Sequence, residues 1–252
     1  MFTSENYRTP MQYKYAPNQN YEDFASGRVL YHKSGLATFP VRLAIEVVGR
    51  CMQHVGKDKV TIYDPMCGEA YLLTVIGFFY GERVHEIYGS DVNEEALEFA
   101  GKNLALLTEE GLIKRKEELT ELIRLHKKES HKEALLSLEN LHEKLGTHIH
   151  THLFHQNVFQ LSMNEELTFK ADIILTDLPY GNLVEWKGEK GNSMEKFFDA
   201  LSSKLSKDGI VAIISNKGQK FTHPGFQRKE KVMVGKRKVE ILQLKKEATH
   251  KE

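Results

Sequence analysis

Apolar positions along the chain alternate between a helical period and short unbroken runs. From Pro40 to His54 they recur at helical spacing (Val41, Ala44, Ile45, Val48, Met52), with Pro40 suited to a helix start. Val60 to Asp64 is a β-branched run that predicts a buried parallel strand. A helix around Glu69 to Tyr80, a strand over Glu86 to Asp91 and a helix from Glu94 to about Leu107 follow. Residues 108–147 interrupt this rhythm. Rich in Glu, Lys, Leu and His and without proline, they predict two helices joined near Glu129 to His131. Leu119, Leu122 and Ile123, then Leu135, Leu138 and Leu141, give each helix a narrow apolar stripe. Strands are predicted again over 151–156, Ala171 to Thr176 and Gly209 to Ser215, with a helix from Ser193 to Leu205 before the last. The pattern closes in a hairpin: about Lys229 to Val234, a turn at Gly235, then Lys238 to Leu244 with Val239, Ile241 and Leu242 or Leu244 alternating.

This order implies an α/β fold: a mostly parallel seven-stranded sheet with helices on both faces, an antiparallel C-terminal hairpin and an inserted helical pair. The pair is either a substrate-facing appendage or a stabilising or dimerising hairpin. Residues 1–35 have no clear period and carry Tyr7, Tyr13, Tyr15, Tyr21 and Tyr31 among Lys, Arg and Gln. They read as an arm lying over a core.

Composition changes this picture little. With 252 residues, 40% hydrophobic and 28% charged, the chain has the make-up of a globular protein. Cys51 and Cys67 are too few for a disulfide framework or a four-cysteine metal site. The first twenty residues lack the apolar core of a signal peptide, and the apolar run around Tyr71 to Tyr80 is far short of the roughly 20 residues a membrane helix needs. A soluble, cytoplasmic protein is the expectation. Charge matters more in its distribution than in its sum. The net charge of +0 argues against a generic nucleic-acid binder, yet Lys217 to Lys246 holds ten Lys or Arg against Glu230 and Glu240, a local balance of +8. That segment reads either as a phosphate-facing surface or as a solvated edge hairpin whose lysines discourage aggregation.

Candidate chemistry lies in the turns that follow the strands. After the first strand comes Asp64-Pro65-Met66-Cys67-Gly68-Glu69-Ala70, in which Gly68 lets backbone approach a ligand and the following helix presents free N–H groups. G-x-G-x-x-G and Walker patterns are absent, which disfavours a phosphate site; an ordinary βα turn is the alternative. Asp91, 27 residues after Asp64, ends the second strand, where its carboxylate either accepts ribose hydroxyls or caps the helix beginning at Glu94. The sharpest pattern is Thr176-Asp177-Leu178-Pro179-Tyr180-Gly181 directly after a buried strand. Pro179 holds Leu178 extended, so its carbonyl and the Asp177 carboxylate make two acceptors able to orient a nitrogen's hydrogens. Tyr180 offers a face on which a base stacks, worth about 1–3 kcal/mol. A plain Pro-Tyr-Gly turn is the bland reading.

Asp-Pro-x-Cys-Gly, the strand-tip Asp91 and Asp-x-Pro-Tyr-Gly together resemble the Rossmann-like class I methyltransferases that modify base nitrogens. Thr176 to Gly181 followed by Trp186, and Ala37-Thr38-Phe39-Pro40-Val41-Arg42-Leu43, resemble more closely the AviRa family of ribosomal RNA methyltransferases. The resemblance spans nearly the whole chain, helical insertion included. It implies a single methyltransferase domain over 1–252, with the arm at 1–35 and the insertion at 108–147, that methylates a guanine base nitrogen in ribosomal RNA, 23S by expectation. S-adenosyl-L-methionine is the implied donor. Asp64, Pro65, Met66, Cys67 and Gly68 would line its methionine part, Asp91 its ribose, and Val92 and Asn157 its adenine, with Asp177 facing both donor and base. Asp177, Leu178, Pro179 and Tyr180 would carry the chemistry. Two positions depart from the pattern: Asn157 where this class often has Asp, and Leu178 where many relatives have proline. Each keeps an acceptor oxygen.

His148, His150 and His152 would share one face of a strand, with His155 nearby, but no cysteine or carboxylate completes a zinc set, and no metal is expected. Cys67 reads as a small neighbour of the donor rather than a nucleophile, since no partnered base is visible. The competing functions are a DNA adenine-N6 methyltransferase, which uses the same acceptor pair but normally carries a separate sequence-reading domain, and a non-catalytic RNA-binding or ribosome assembly factor on the same fold. A small-molecule N-methyltransferase comes third.

Overall fold

The computed structural model describes residues 12–25, 27–33, 39–178 and 193–245. Pro179, Tyr180, Gly181 and Trp186, together with Ala37, Thr38 and Tyr7, lie outside these residues. Helix α1 (Val41–Val55) starts at Pro40 and stops at Gly56, whose positive φ turns the chain as its N–H closes on the Met52 carbonyl. Strand β1 (Val60–Asp64) is buried along its length. Then come α2 (Tyr71–Tyr80), β2 (Val84–Asp91) and α3 (Glu94–Ala105), followed by the inserted pair α4 (Glu109–His126) and α5 (Glu129–His142). Strands β3 (His150–His155) and β4 (Ala171–Asp177), helix α6 (Ser193–Lys204), and strands β5 (Leu205–Asn216), β6 (Phe226–Val234) and β7 (Arg237–Leu244) complete the order.

The sheet runs β3-β2-β1-β4-β5-β7-β6. Its first five members are parallel, and β7 lies antiparallel between β5 and β6. Connections reverse direction between β1 and β4, and at such a switch point the carboxyl ends of strands border a crevice. Alternate residues of the central strands feed two cores. Ile62, Ile87, Ile173, Leu175, Ile214, Val239 and Ile241 belong to one with the buried residues of α1, α2 and α3. Tyr63, Ile174, Val211, Ile213 and Leu242 belong to the other with Phe197, Phe198 and Leu201 of α6. The period of two therefore puts Asp64, Asp91, Asp177 and Arg237 on the α1 side of the sheet.

Three boundaries differ from the sequence expectation for local reasons. Helix α2 begins at Tyr71 rather than Glu69, because Gly68 (φ 53) and Ala70 (φ 54) are left-handed. Strand β5 begins at Leu205 because that residue pairs with Ala171 before the register shifts and resumes at Ile173 with Ile210. The inserted helices meet at Lys127, left-handed at φ 50, rather than near Glu129.

The arm and the insertion join the sheet's core. Glu46 of α1, 0% exposed, accepts the backbone N–H groups of Lys14, Tyr15 and Ala16 at 2.7–3.0 Å and the Arg50 Nε at 2.7 Å. Burial acts to raise its pKa, but these four donors overcome it and hold the carboxyl below its ordinary value. Phe24, Val29 and Leu30 of the arm are buried with Leu112, Leu119 and Leu138 of the insertion. Arg115 of α4 donates to the carbonyls of Val29 (2.9 Å) and Arg28 (3.1 Å), and Asn140 of α5 donates to Asp23 (3.2 Å). Arm and insertion thus hold one another.

Candidate active site

The loop after β1 is held from two sides. Asp64 Oδ1 accepts the Met66 N–H (3.0 Å), the Cys67 N–H reaches the Ser90 carbonyl (2.9 Å), and the Gly68 N–H reaches Asp91 Oδ2 (2.8 Å). Gly89 on β2 permits this approach: a Cβ there would lie 2.8 Å from Leu153 and 3.1 Å from the Cys67 sulfur. At Gly68, by contrast, a Cβ would meet nothing within 4 Å, so the loop backbone borders open space. Ala70, buried and left-handed, is strained by about 1–3 kcal/mol, a cost that persists where surrounding structure overdetermines the backbone.

Asp91 does not cap α3. Asn93 does, its side chain accepting the Ala96 N–H at 3.3 Å, while Asp91 Oδ1 accepts the Asn93 N–H (2.9 Å). With its two oxygens on Gly68 and Asn93, Asp91 is fixed beside the loop and keeps lone pairs for further donors. Val92 is 60% exposed, an apolar surface at the same strand tip. Asn157 begins the turn Val158–Met163, with its Oδ1 on the Phe159 N–H (3.0 Å), so that oxygen can still accept one further bond.

Asp64 ends β1, Asp91 ends β2 and Asp177 ends β4, three neighbours in the sheet. Their charges interact. Burial, opposed by the Met66 N–H and reinforced by the charges of Asp91 and Asp177, pushes Asp64 up to about 8. Burial also pushes Asp177 up to about 6, against the pull of Arg237, whose Nη1 lies 3.4 Å from Asp177 Oδ2. Of the two, Asp177 gives up its proton at the lower pH. Leu178 is buried, and its N–H continues the ladder to the Ile214 carbonyl (2.9 Å).

Cys67 is buried, with its sulfur 3.6 Å from the Gly68 carbonyl; burial and the charges of Asp64 and Asp91 hold the thiol well above its ordinary pKa. Such a thiol is a poor nucleophile. The histidines disperse: His152 stacks on Tyr88 (4.5 Å), His148 meets His150 edge to face (4.8 Å), and His155 contacts the Val92 carbonyl (3.0 Å). Among the described residues, no three His, Cys, Asp or Glu are grouped to hold a metal ion.

Sequence reasoning missed the residues that brace the loop from a distance. Glu69 is buried between His32 Nδ1 (2.7 Å) and the Lys33 N–H (3.0 Å), and its own carbonyl accepts from Asn103 (2.8 Å), which also holds both backbone groups of Tyr31. Partners 37 and 72 residues apart leave no local pattern. Gly89, inside a predicted strand, was the one readable sign of close backbone approach.

The model of the family described as rRNA methyltransferase AviRa matches residues 11–237. The 23S rRNA (guanine(2535)-N(1))-methyltransferase of Streptomyces viridochromogenes is 33% identical over 222 residues, spanning 85% of this chain and 88% of that protein. Two solved structures of rRNA methyltransferase AviRa from the same organism, at 1.5 and 2.4 Å, align with TM-scores of 0.83 and 0.81. They are 32% and 31% identical to this chain, and each alignment covers 92% of it and 96% of theirs.

Proposed function

Because the chain belongs to the AviRa family of rRNA methyltransferases, we propose that it methylates a guanine in 23S rRNA, at ring nitrogen N1, with S-adenosylmethionine as donor. The observation that carries this reading is the row of three coupled carboxylates at adjacent strand tips, beside a loop whose backbone borders open space. Asp64 and the loop to Gly68 would take the methionine end, Asp91 the ribose, and Val92 and the Asn157 oxygen the adenine. The donor supplies a methyl carbon already activated by a cationic sulfur.

The protein's task is then position and proton transfer. Guanine shows N1–H and an amino hydrogen along one edge, and the Asp177 carboxylate and Leu178 carbonyl offer two acceptors to match them. The N1 proton passes to Asp177, the N1 pair forms the bond to the methyl carbon, and the electrons of the broken carbon–sulfur bond stay on a neutral thioether. The base must be unpaired or flipped out to reach the site, with Tyr180 as its stacking partner. Arm, insertion and sheet act as one methyltransferase domain, expected in the cytoplasm with its substrate. Among the described residues no helix is long and apolar enough to cross a membrane. No observation favours the duplex-DNA or non-catalytic readings.

N1 lies on the base-pairing edge, so its methylation stops reverse transcriptase. Wild-type protein is expected to produce one such stop on 23S rRNA when the donor is supplied. Asp177→Asn should lower the rate by about 10²–10⁴-fold while donor binding persists. Full activity in that variant, or a methyl group found on adenine, would overturn the assignment.

A further inference from the structure

Arg237 is the one strongly placed cation beside Asp177 among the described residues that the loop patterns gave no reason to expect. It opens β7, and the antiparallel register sets it opposite Asn216, past the point where Ile214 of β5 pairs with Asp177. Val239 and Ile241, two and four residues on, lie in the core on the α1 side, so alternation brings Arg237 out on the face that carries Asp64 and Asp177. From there it reaches across the tip of β5 to Asp177 Oδ2 at 3.4 Å. Its guanidinium also sits over the ring of Phe39, 5.4 Å from the centroid, in the residue pair that leads into α1. Only 16% of the Arg237 side chain is exposed, against 30% for Asp177. A cation with so little of its side chain in water, beside an aromatic face and a carboxylate, is a fixed charge rather than a solvated surface pair.

We infer that Arg237 is a positioning residue for methyl transfer: its charge pairs with Oδ2 of Asp177, leaves Oδ1 for the base N–H, and keeps the carboxylate ionised so that it can take the proton. This rests on the reading of Asp177 given above. The antiparallel hairpin at the end of the chain thereby has a part in the chemistry, because a parallel strand at this place would present its amino end elsewhere. An arginine suits the task, since its charge persists at every working pH. Among the described residues, the charged groups that face Asp177 are Arg237 from β7 and Asp64 from β1; its β5 neighbour, Ile214, is apolar. Asp64 keeps its proton until above the range in which Asp177 titrates, so Arg237 is the group that opposes burial there.

The test is the pH profile of methyl transfer to a 23S rRNA fragment at saturating donor, from pH 5.5 to 9, for wild type, Arg237→Gln and Arg237→Lys. The wild-type rate should rise through an acid limb near the Asp177 value of about 6. In Arg237→Gln the limb should move up by a unit or more, so the rate at pH 7 falls about twofold for a one-unit rise and about tenfold for two, and recovers by pH 9. Arg237→Lys should return the limb towards wild type. Donor binding and thermal midpoint report folding, and Phe39→Leu, which loosens the guanidinium but keeps its charge, should give a smaller shift in the same direction. Profiles of Arg237→Gln and Phe39→Leu that superimpose on wild type, whatever their height, defeat the inference. A wild-type enzyme that transfers no methyl group defeats the underlying assignment instead.

Discussion

At the scale of single residues, Asp64 shows what the site asks of the fold. Its carboxyl is buried and shifted up to about 8, so the folded chain prefers the protonated form. For an acid shifted upward, stability is full at low pH and declines as pH rises from the ordinary value towards the folded one. Asp64→Asn keeps the acceptor for Met66 and removes the charge. The variant should match wild type near pH 4 and exceed it by about 1–3 kcal/mol at pH 8, roughly 2–12 °C in midpoint. Yet it should bind donor at least about tenfold more weakly, for want of a carboxylate facing the cationic end. Thermal melts at both pH values, with calorimetric titration of donor, check the two halves. Since a bound cation draws Asp64 into its ionised form, wild-type donor affinity should climb between pH 6.5 and 8.5. A flat profile counts against Asp64 as a donor contact. The sequence showed which residues stand at the strand tips; it could not show their charge states, which depend on burial and on one another.

Among elements, the arm and α1 present the clearest dependence. The helical period correctly put Ile45, Val48 and Met52 inward; Glu46, outside that apolar stripe, is buried too. The arm buries it by covering the carboxylate with three backbone N–H groups. Glu46→Gln leaves at least one of those donors with a poorer partner and should cost about 2–3 kcal/mol. The sign for the acid itself is the opposite of Asp64: with its folded pKa lowered, Glu46 stabilises above the ordinary carboxylate value and loses that contribution as pH falls. Hydrogen exchange at Lys14 to Ala16 reads the result. Protection there that survives both the substitution and acid would mean the arm docks by its apolar residues alone. The inserted helices were legible as helices with apolar stripes, while their tie to the arm through Arg115 and Asn140 was not.

Over the whole molecule, the uneven charge takes on a definite shape. Of the basic C-terminal segment, Arg228 and Lys238 pair with Glu240, and Arg237 with Asp177. Lys217, Lys220, Lys229, Lys231 and Lys236 are exposed. They divide by position. Lys229 and Lys231 lie on the edge strand β6, where lysine discourages pairing with other chains. Lys217 and Lys236 meet at the tip of the sheet, the N–H of one on the carbonyl of the other at 3.3 Å, next to Arg237 and hence to Asp177. Alanine at Lys217, Lys220 and Lys236 should lower the salt dependence of RNA binding by about 0.7–0.9 in log–log slope for each phosphate left without its lysine. Alanine at Lys229 and Lys231 should leave that slope unchanged. Equal effects from both sets would reduce the patch to a general counter-charge. The seven-stranded sheet, the reversed final hairpin and the inserted helical pair all stand as the apolar pattern had them.

By itself the sequence determined the strands, the helices and the turns that end in Asp64, Asp91 and Asp177, because periods of 2 and 3.6 and the chemistry of Gly and Pro act between near neighbours. Tertiary structure alone decided that His32 braces Glu69, that Glu46 anchors the arm, and that Arg237 arrives at Asp177 from a strand sixty residues later. Those contacts arise only when the sheet aligns distant strand tips and excludes water from them, and the same exclusion sets the carboxylates' protonation.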